Sequence, residues 1–438
     1  MTATLEQAPF AGLAAQAIAD SATDGCGVGV REAREAAFAR FAALGIPTSK
    51  DEEWRFTSVR HLGSTPFGAA ATSSRLDEGQ IAPFLIDPGS FRVVVVDGRV
   101  DLALSRLSST AAVRLVSLAA TTADASAAIS CAGDSATALV TPFAALNAAL
   151  WTGGAMLSIG AGAVVADSIE ILHITTAAAA NAVITPRLAI YVAPNASAHV
   201  VESYVSLGAD SYFTNTACEI VLDDGARLEH TRIQRENKAA THIGVTSVRQ
   251  AASSHYRSVS LCLGGKLARH DLQARHEGAG VETLLYGLYL ARGEQVVDNH
   301  TAIFHDHPNC NSWEVYKGVL ADKAHGVFNG KVLVKPEAQK TDAKQTNRNL
   351  LLSDAARVDT KPQLEIFADD VKCTHGATVG KLNEQQRFYL RTRGIAGREA
   401  EMMLITAFVS EVLEESTRPA VRDTLKALVA AELSGMIG

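Results

Sequence analysis

The chain has 438 residues, 47% of them hydrophobic and 20% charged, which is typical of a folded protein, excludes general disorder and predicts more than one structural part. A formal net charge of −7 argues against nucleic-acid binding, which needs a basic face. There is neither an apolar run of about 20 residues, as a membrane helix requires, nor a secretory signal pattern at the N-terminus, so we expect a cytoplasmic protein that binds no membrane.

The first 90 residues are predicted to form an N-terminal helical domain. Residues 31–44 are rich in helix-forming residues, with Phe38 and Phe41 on one apolar stripe. Gly45 and Pro47 then supply a C-terminal stop signal. The charged run that follows is a solvated turn and a helix start.

The period of the sequence changes after residue 90. Residues 93–96 are four consecutive valines and predict a buried strand, and the Ala-, Ser- and Thr-rich sequence up to about residue 149 gives little local signal. We therefore assign residues 91–154 to a connecting region of strand and loop.

Residues 155–380 form the predicted core, in which apolar stretches alternate with turn clusters. The turn markers Ala161, Asn195, Gly225 and Gly264 are separated by 34, 30 and 39 residues, so no strict short repeat is visible. Few helical patterns intervene, which argues against a βαβ sheet. The pattern alone leaves a β-solenoid and a large sandwich open.

Residues 381–438 are predicted to form a C-terminal helical domain. Asn383 can cap a helix, with Gln386 at the reciprocal position of a capping box, and Gly394 can end that helix. A second helix from about residue 397 carries an apolar stripe that can pack on the protein's own core. The predicted stripe consists of Ala400, Met403, Leu404, Ala407 and Phe408.

The chemistry-bearing residues at the end of the core are Cys373 and His375. In a strand, alternate side chains share a face, so Val371, Cys373 and His375 are expected on one side. Thiolate and imidazole suit iron–sulfur chemistry, but a cluster needs about four ligands. A structural strand end is the plain alternative; a cluster here must borrow ligands from another chain, which indicates an interface.

A second group, His305, His307 and Cys310, has the spacing of a zinc or iron half-site. Under this alternative the chain is a stand-alone metal-binding protein. The competing interpretation is a polar loop between strands. For the remaining cysteines (Cys26, Cys131, Cys218 and Cys262) we expect small, buried apolar side chains.

Common enzyme motifs are not found in the sequence. Residues 263–267 contain Gly-Gly-Lys but lack the spacing of a Walker A phosphate loop, so we expect no bound nucleotide. Asp369 and Asp370 are adjacent and would face opposite ways in a strand. A carbohydrate-active β-helix enzyme, a lyase or hydrolase, is the alternative function, and it requires convergent carboxylates.

Several segments together resemble the SufB/SufD family of iron–sulfur cluster assembly proteins. They are PQLEIFADDVKCTHGATVG at 362–380, FYLRTRGI at 388–395, VFNG at 327–330 and TDAKQTNRNLL at 341–351. Gly376 stands where the SufB branch usually carries Glu, so the chain is more similar to the SufD branch.

The resemblance implies a mainly β fold, with a right-handed parallel β-helix between two helical domains. It also implies a non-catalytic scaffold subunit of the SUF machinery that pairs with SufB through the β-helix. The ATPase SufC is expected to bind the C-terminal helices near residues 384–413. A transient iron–sulfur cluster shared with SufB would use His375 and Cys373, and the exposed edge of a β-helix makes a homodimer of the isolated chain plausible.

Overall fold

The computed structural model describes residues 9–23, 28–71, 75–87, 89, 91–118 and 141–437. Helices lie near both ends of the chain: Ala11–Thr23 (α1), Val28–Leu44 (α2), Arg60–Ser64 (α3), Glu78–Ile81 (α4), Pro142–Leu150 (α5), Glu384–Thr392 (α6), Gly397–Leu413 (α7) and Pro419–Met436 (α8). Single 3-10 turns are formed by Glu52–Trp54, Ala82–Phe84 and Ala177–Ala179. No helix in these ranges is long and apolar enough to cross a membrane.

The strands occupy most of the middle of the chain. The first eleven are Gly68–Ala69 (β1), Phe91–Val96 (β2), Arg99–Val100 (β3), Ser108–Ser109 (β4), Val113–Ser117 (β5), Gly153–Ile159 (β6), Val164–Thr175 (β7), Ala182–Ile184 (β8), Pro186–Val192 (β9), Ser197–Ser206 (β10) and Phe213–Leu222 (β11). The others are Arg227–Arg235 (β12), Thr241–Gln250 (β13), His255–Cys262 (β14), Leu267–His276 (β15), Glu282–Ala291 (β16), Val296–His305 (β17), Asn311–Leu320 (β18), His325–Val334 (β19), Asp342–Leu351 (β20), Arg357–Ile366 (β21) and Lys372–Gly380 (β22).

These strands form two sheets that the chain visits in turn. We name the two sheets after their strands from β9 onward, which are odd-numbered in one sheet and even-numbered in the other. The odd sheet has the order β21-β19-β17-β15-β13-β11-β9-β6-β5-β4. The even sheet has the order β22-β20-β18-β16-β14-β12-β10-β7-β2-β3. From β9 onward each strand pairs in parallel with the strand one turn away. The core is a parallel β-solenoid of about 8 turns with helices at both ends, which confirms the predicted fold class.

The register of the even sheet stacks side chains into columns along the interior. Because alternate residues of a strand face the same side, every second residue points inward. One inward column that runs to the last strand consists of Val200, His230, Ser258, Leu285, Glu314, Gln345 and His375. The register therefore connects residues that are far apart in sequence with the final strand.

One corner of the solenoid repeats a backbone conformation rather than a residue type. Its members have positive φ angles between 57° and 72°, and each donates its N–H to a carbonyl one turn further on. They are Gly162, Asn195, Gly225, Ser253, Gly280, Asn309 and Lys340, separated by 27 to 33 residues. Gly264 lies between β14 and β15 at another corner, so using it as a marker of the same repeat was wrong.

The N-terminal part packs against the odd sheet. The Arg269 guanidinium lies 3.7 Å from the ring centre of Trp54, and its Nη1 donates to the Glu53 carbonyl oxygen. Thr57 Oγ1 donates to the buried Asp298 carboxylate at 2.6 Å. Helix α2 confirms the helix predicted over 31–44.

The region predicted as a connection is part of both sheets. Strand β2, which confirms the strand predicted at 93–96, pairs in parallel with β7, and β6 pairs in parallel with β9. The boundary predicted at residue 155 falls inside β6. Helix α5 lies in the Ala- and Ser-rich segment and was not predicted, and residues 119–140 are outside the described ranges.

The C-terminal helices cover one side of the even sheet. Asn383 caps α6 as predicted, because its Oδ1 accepts from the N–H groups of Gln385 and Gln386 at 2.9 and 3.1 Å. Lys317 on β18 donates to the Phe408 carbonyl oxygen at 2.7 Å and pairs with Glu411, which fixes α7 to the sheet.

The stripe predicted for α7 is confirmed for Ala400 and Phe408, which packs partly buried against the core, and was wrong for Met403 and Ala407. The buried side chains are Ala400, Ile405, Val409, Val412 and Leu413, whereas Met403 and Ala407 are exposed. This helix is apolar around most of its circumference between residues 402 and 409, so two phases fit the sequence equally well. Packing against β16 and β18 selects one of them.

Candidate functional site

The last strand of the even sheet, β22, forms an open end of the solenoid. Among the described strands it is hydrogen-bonded to β20 alone, over the register from Lys372 opposite Asp342 to Gly380 opposite Leu350. In β20 the inward side chains of Gln345, Asn347 and Asn349 are buried. The corresponding side chains of β22 are exposed, since no further turn covers them.

Cys373 and His375 lie on this open end. Cys373 is in register with Ala343 and His375 with Gln345, so both occupy inward-facing columns, about 6.6 Å apart along the strand. Cys373 is half-buried against an apolar cluster that includes Val332 and Ala368, whereas His375 is exposed. The structure thus places the two predicted ligands on one face.

The two side chains differ in readiness to bind a metal. Burial raises the pKa of the Cys373 thiol, and the nearby Asp342 carboxylate adds to this effect, while a hydrogen bond with the Ala343 backbone opposes it. The thiol is therefore protonated at neutral pH and must lose a proton to become a ligand. The imidazole of His375, in contrast, is exposed to solvent.

The polar column continues beneath His375. Gln345 Nε2 donates to Glu314 Oε2 at 2.8 Å, and Glu314 is buried two strands below the open end. Burial raises the pKa of Glu314 to about 7, against hydrogen bonds with Thr301 and Gln345 that lower it. A carboxyl group that titrates near neutral pH is thus linked to the column that ends at His375.

Two ligands are half of what a cluster needs. Within the part of the chain that the structure describes, no third His, Cys, Asp or Glu forms a compact ligand group with Cys373 and His375. The open end can therefore supply one side of a shared site.

The second predicted group is not brought together. His305 is buried and its Nε2 lies 2.9 Å from Ser312 Oγ, with its ring against that of His276. Cys310 is buried and directs its thiol at the Gly278 carbonyl oxygen at 3.4 Å, and His307 is exposed in the loop. Their ligand atoms do not form a group within 4.8 Å, in contrast to the interior group described next.

Among the residues that the structure describes, the interior contains one compact group of possible metal ligands that the sequence analysis missed. Ligand atoms of Glu202, Cys218 and His230 all lie within 4.8 Å of one another, and all three residues are buried. They come from β10, β11 and β12, so no short motif announces them. Cys218 and Cys262 are buried as expected; Cys26 and Cys131 are outside the described residues.

Helices α6 and α7 carry exposed apolar side chains. Phe388 is 68% exposed, Tyr389 57% and Met403 47%. Arg387 of α6 pairs with Glu401 of α7, which joins the two helices. We call Phe388, Tyr389 and Met403 the C-terminal apolar patch.

Comparison with known proteins agrees with this architecture. Residues 173–408 match the family model described as the SUF system FeS cluster assembly, SufBD core domain. The chain is 33% identical to an iron–sulfur cluster assembly SufBD family protein of Synechocystis, covering 91% of this chain and 90% of that protein.

Two further relatives extend the agreement. The iron–sulfur cluster assembly protein SufD of Escherichia coli is 33% identical over 89% of this chain and 90% of its own length. A SufBD family protein of Mycobacterium leprae is 28% identical over 90% of this chain and 92% of its own length. The chain therefore belongs to the SufB/SufD family of SUF iron–sulfur cluster assembly proteins.

Proposed function

We propose that this chain is a non-catalytic scaffold subunit of the SUF machinery that pairs end to end with a SufB-type chain. The nascent iron–sulfur cluster, which is cargo, is built at the junction. The observation that carries this proposal is the position of Cys373 and His375 on the uncovered last strand. Membership of the SufB/SufD family and similarity to a protein named SufD support it.

The open end of the solenoid can bind a partner chain by strand pairing. An uncovered strand presents backbone donors and acceptors that a second strand can pair with. A related solenoid that pairs with β22 would bring its own side chains to the same face, and the missing ligands would come from that chain. When no SufB-type chain is present, the same edge can pair with a second copy of this chain as a homodimer.

The two ligands have unequal roles in this proposal. His375 is exposed and binds metal without prior loss of a proton when neutral. The Cys373 thiol must lose its proton before it binds metal, and burial disfavours that loss because it raises the pKa of the thiol. We therefore assign His375 the main role and Cys373 an auxiliary one.

We further propose that the C-terminal apolar patch binds a SufC-type ATPase. The patch leaves Phe388, Tyr389 and Met403 exposed on two joined helices, and such patches are typical of protein interfaces. Helix α7 is fixed to β18 through Lys317, so a movement of the helix acts directly on the even sheet. Nucleotide chemistry then belongs to the partner, since the sequence carries no Walker A motif.

We place this assembly in the cytoplasm. The described cysteines Cys218, Cys262, Cys310 and Cys373 are free thiols, as expected where thiols are kept reduced.

The test is to co-express the chain with a SufB-type chain and a SufC-type ATPase and to change His375 to Ala. We expect a severalfold lower yield of cluster on the purified complex, measured by iron and sulfide content and visible absorbance. The matched control is His307→Ala, which removes another exposed histidine, in the loop between β17 and β18 rather than on the last strand. A cluster yield equal to that of the unaltered complex, with all three chains present, would remove His375 from the proposal.

A further inference from the structure

We propose that the interior of the solenoid holds one tightly bound divalent ion of the zinc type, at a site separate from the open end. The ligands are Glu202, Cys218, His230 and His173. They lie on four strands of the first turns of the core, β7, β10, β11 and β12.

The geometry of three ligands is already close to that of a metal site. All three ligand atoms lie within 4.8 Å of one another, and His230 Nε2 is 3.1 Å from Glu202 Oε2. Bonds of about 2.0 Å to nitrogen and oxygen give a tetrahedron with edges of about 3.3 Å. To close around an ion, these ligand atoms must move from separations of up to 4.8 Å to about that edge length.

His173 supplies the fourth position. Its ring stacks on Tyr204 at 4.4 Å, and neither ring nitrogen has a hydrogen-bond partner in the structure. Nε2 lies 3.8 Å from Glu202 Oε1. A buried polar group without a partner is costly, and a metal ion would satisfy it.

The surrounding groups orient the ligands as an outer shell does in metal sites. The Tyr256 hydroxyl lies 3.2 Å from His230 Nδ1, which leaves Nε2 of that ring directed at Glu202. The Tyr204 hydroxyl donates to Glu202 Oε1. Both the imidazole and the carboxylate are thus held by a second residue.

Charge also favours an ion. When the imidazoles are counted as neutral, the carboxylates of Glu202 and Glu236 and the guanidinium of Arg232 sum to a charge of −1. A divalent ion that displaces the Cys218 thiol proton brings this sum to zero.

The donor set selects the class of metal. Thiolate and imidazole ligands suit Zn²⁺, whereas Mg²⁺ and Ca²⁺ prefer oxygen.

Because all three residues of the compact group are buried, the ion enters during folding, before the solenoid closes. The thiol proton is then released to solvent as the sulfur–metal bond forms.

The experiment uses the full-length chain, refolded without oxygen in the presence of Zn²⁺ or Co²⁺ and then dialysed. We expect about one metal ion per chain by elemental analysis, and a thiolate-to-cobalt charge-transfer band in the Co²⁺ form. Cys218→Ser should abolish this band. The matched control is Cys262→Ser, a buried interior cysteine whose thiol hydrogen-bonds Gln234 instead, and it should retain the band.

Three outcomes would overturn the proposal: far less than one ion per wild-type chain, a cobalt spectrum without the sulfur band, or an unchanged band in Cys218→Ser. Should that variant fail to fold, His173→Phe preserves the stacking on Tyr204 and removes one ligand, so its metal affinity should fall at least tenfold. A Cys373→Ser, His375→Ala double variant should retain the ion. This last measurement separates the interior site from the proposed cluster site.

Discussion

The carboxyl group of Glu314 lies in the interior column two strands below His375. Burial raises its pKa to about 7 from the ordinary value of 4.5. Between these two values the folded chain holds a proton that the unfolded chain has lost, so stability falls as pH rises through this range. The stability contributed by the protonated form is complete below about pH 4.5 and is lost above about pH 7.

Glu314→Gln should remove this dependence, because the amide keeps the shape and an acceptor for Gln345 but cannot ionise. The free energy of unfolding of the variant minus that of the unaltered chain should be about 3 kcal/mol larger at pH 8 than at pH 4.5. This follows because one pKa unit corresponds to about 1.4 kcal/mol. Urea unfolding at both pH values measures the difference. Glu294→Gln changes an exposed glutamate and serves as the control. Equal pH dependence in both variants would contradict the assignment.

At this scale the sequence predicts which side of a strand a residue faces, but not what it meets. Strand alternation places Cys373 and His375 on one side. The contact between Gln345 and Glu314 depends on the register between turns, which local sequence does not specify. The interior group of Glu202, Cys218 and His230 was missed for the same reason, because it joins three separate strands.

At the scale of the element, the solenoid corner with positive φ angles explains why the sequence analysis did not recognise the repeat of the solenoid turns. Its members include Asn195, Gly225, Ser253 and Lys340, which share a left-handed backbone conformation but no side-chain type. Glycine adopts this conformation at little cost, and asparagine tolerates it better than most residues. Hydrogen bonding between successive turns holds the remaining positions there. A search for a repeated residue cannot detect a repeated φ angle.

Helix α7 carries both a buried and an exposed apolar face, so substitutions on each should have different effects. Met403→Asp on the C-terminal apolar patch should weaken binding of a SufC-type ATPase severalfold while changing stability by less than about 0.5 kcal/mol. Ile405→Ala on the buried face should cost about 2–5 kcal/mol. Titration calorimetry and urea unfolding measure the two quantities.

The control for the patch is Leu102→Ser, which removes a side chain 65% exposed near the other end of the chain. It should alter neither ATPase binding nor stability. If Met403→Asp and Leu102→Ser bind the ATPase equally well, the patch is not the docking surface.

At the scale of the whole molecule, the two ends of the solenoid are finished differently. Toward the N-terminus the sheets end in antiparallel pairs, β2 with β3 and β4 with β5. Toward the C-terminus the odd sheet ends in β21, which is parallel to β19, and the even sheet ends in β22, which is parallel to β20. Alternating apolar stretches predicted the strands, but choosing a solenoid over a sandwich required the family resemblance, because both bury similar stretches. Helix α5 was missed because its sequence, PFAALNAAL, is apolar almost throughout and gives no clear period.

Hydrogen–deuterium exchange should reveal this asymmetry directly. Among the described strands β22 has one neighbour and β20 has two, so amides of β22 should exchange faster in the monomer, at a chain concentration too low for the homodimer. Addition of a SufB-type chain should slow exchange in β22 and leave Val164, an exposed residue of β7, unaffected. Unchanged exchange in β22 within a stable complex would place the partner elsewhere.

The direction of the last strand's amides has a further consequence. Lys372 donates its N–H to the carbonyl oxygen of Thr341, the residue just before β20, and in a parallel ladder alternate residues turn their amides to opposite sides. The backbone groups of Cys373 and His375 therefore point toward the uncovered side. A strand that docks there would hydrogen-bond to the backbone of the same two residues that carry the thiol and the imidazole. Binding of the partner strand would therefore also fix the positions of these two ligands.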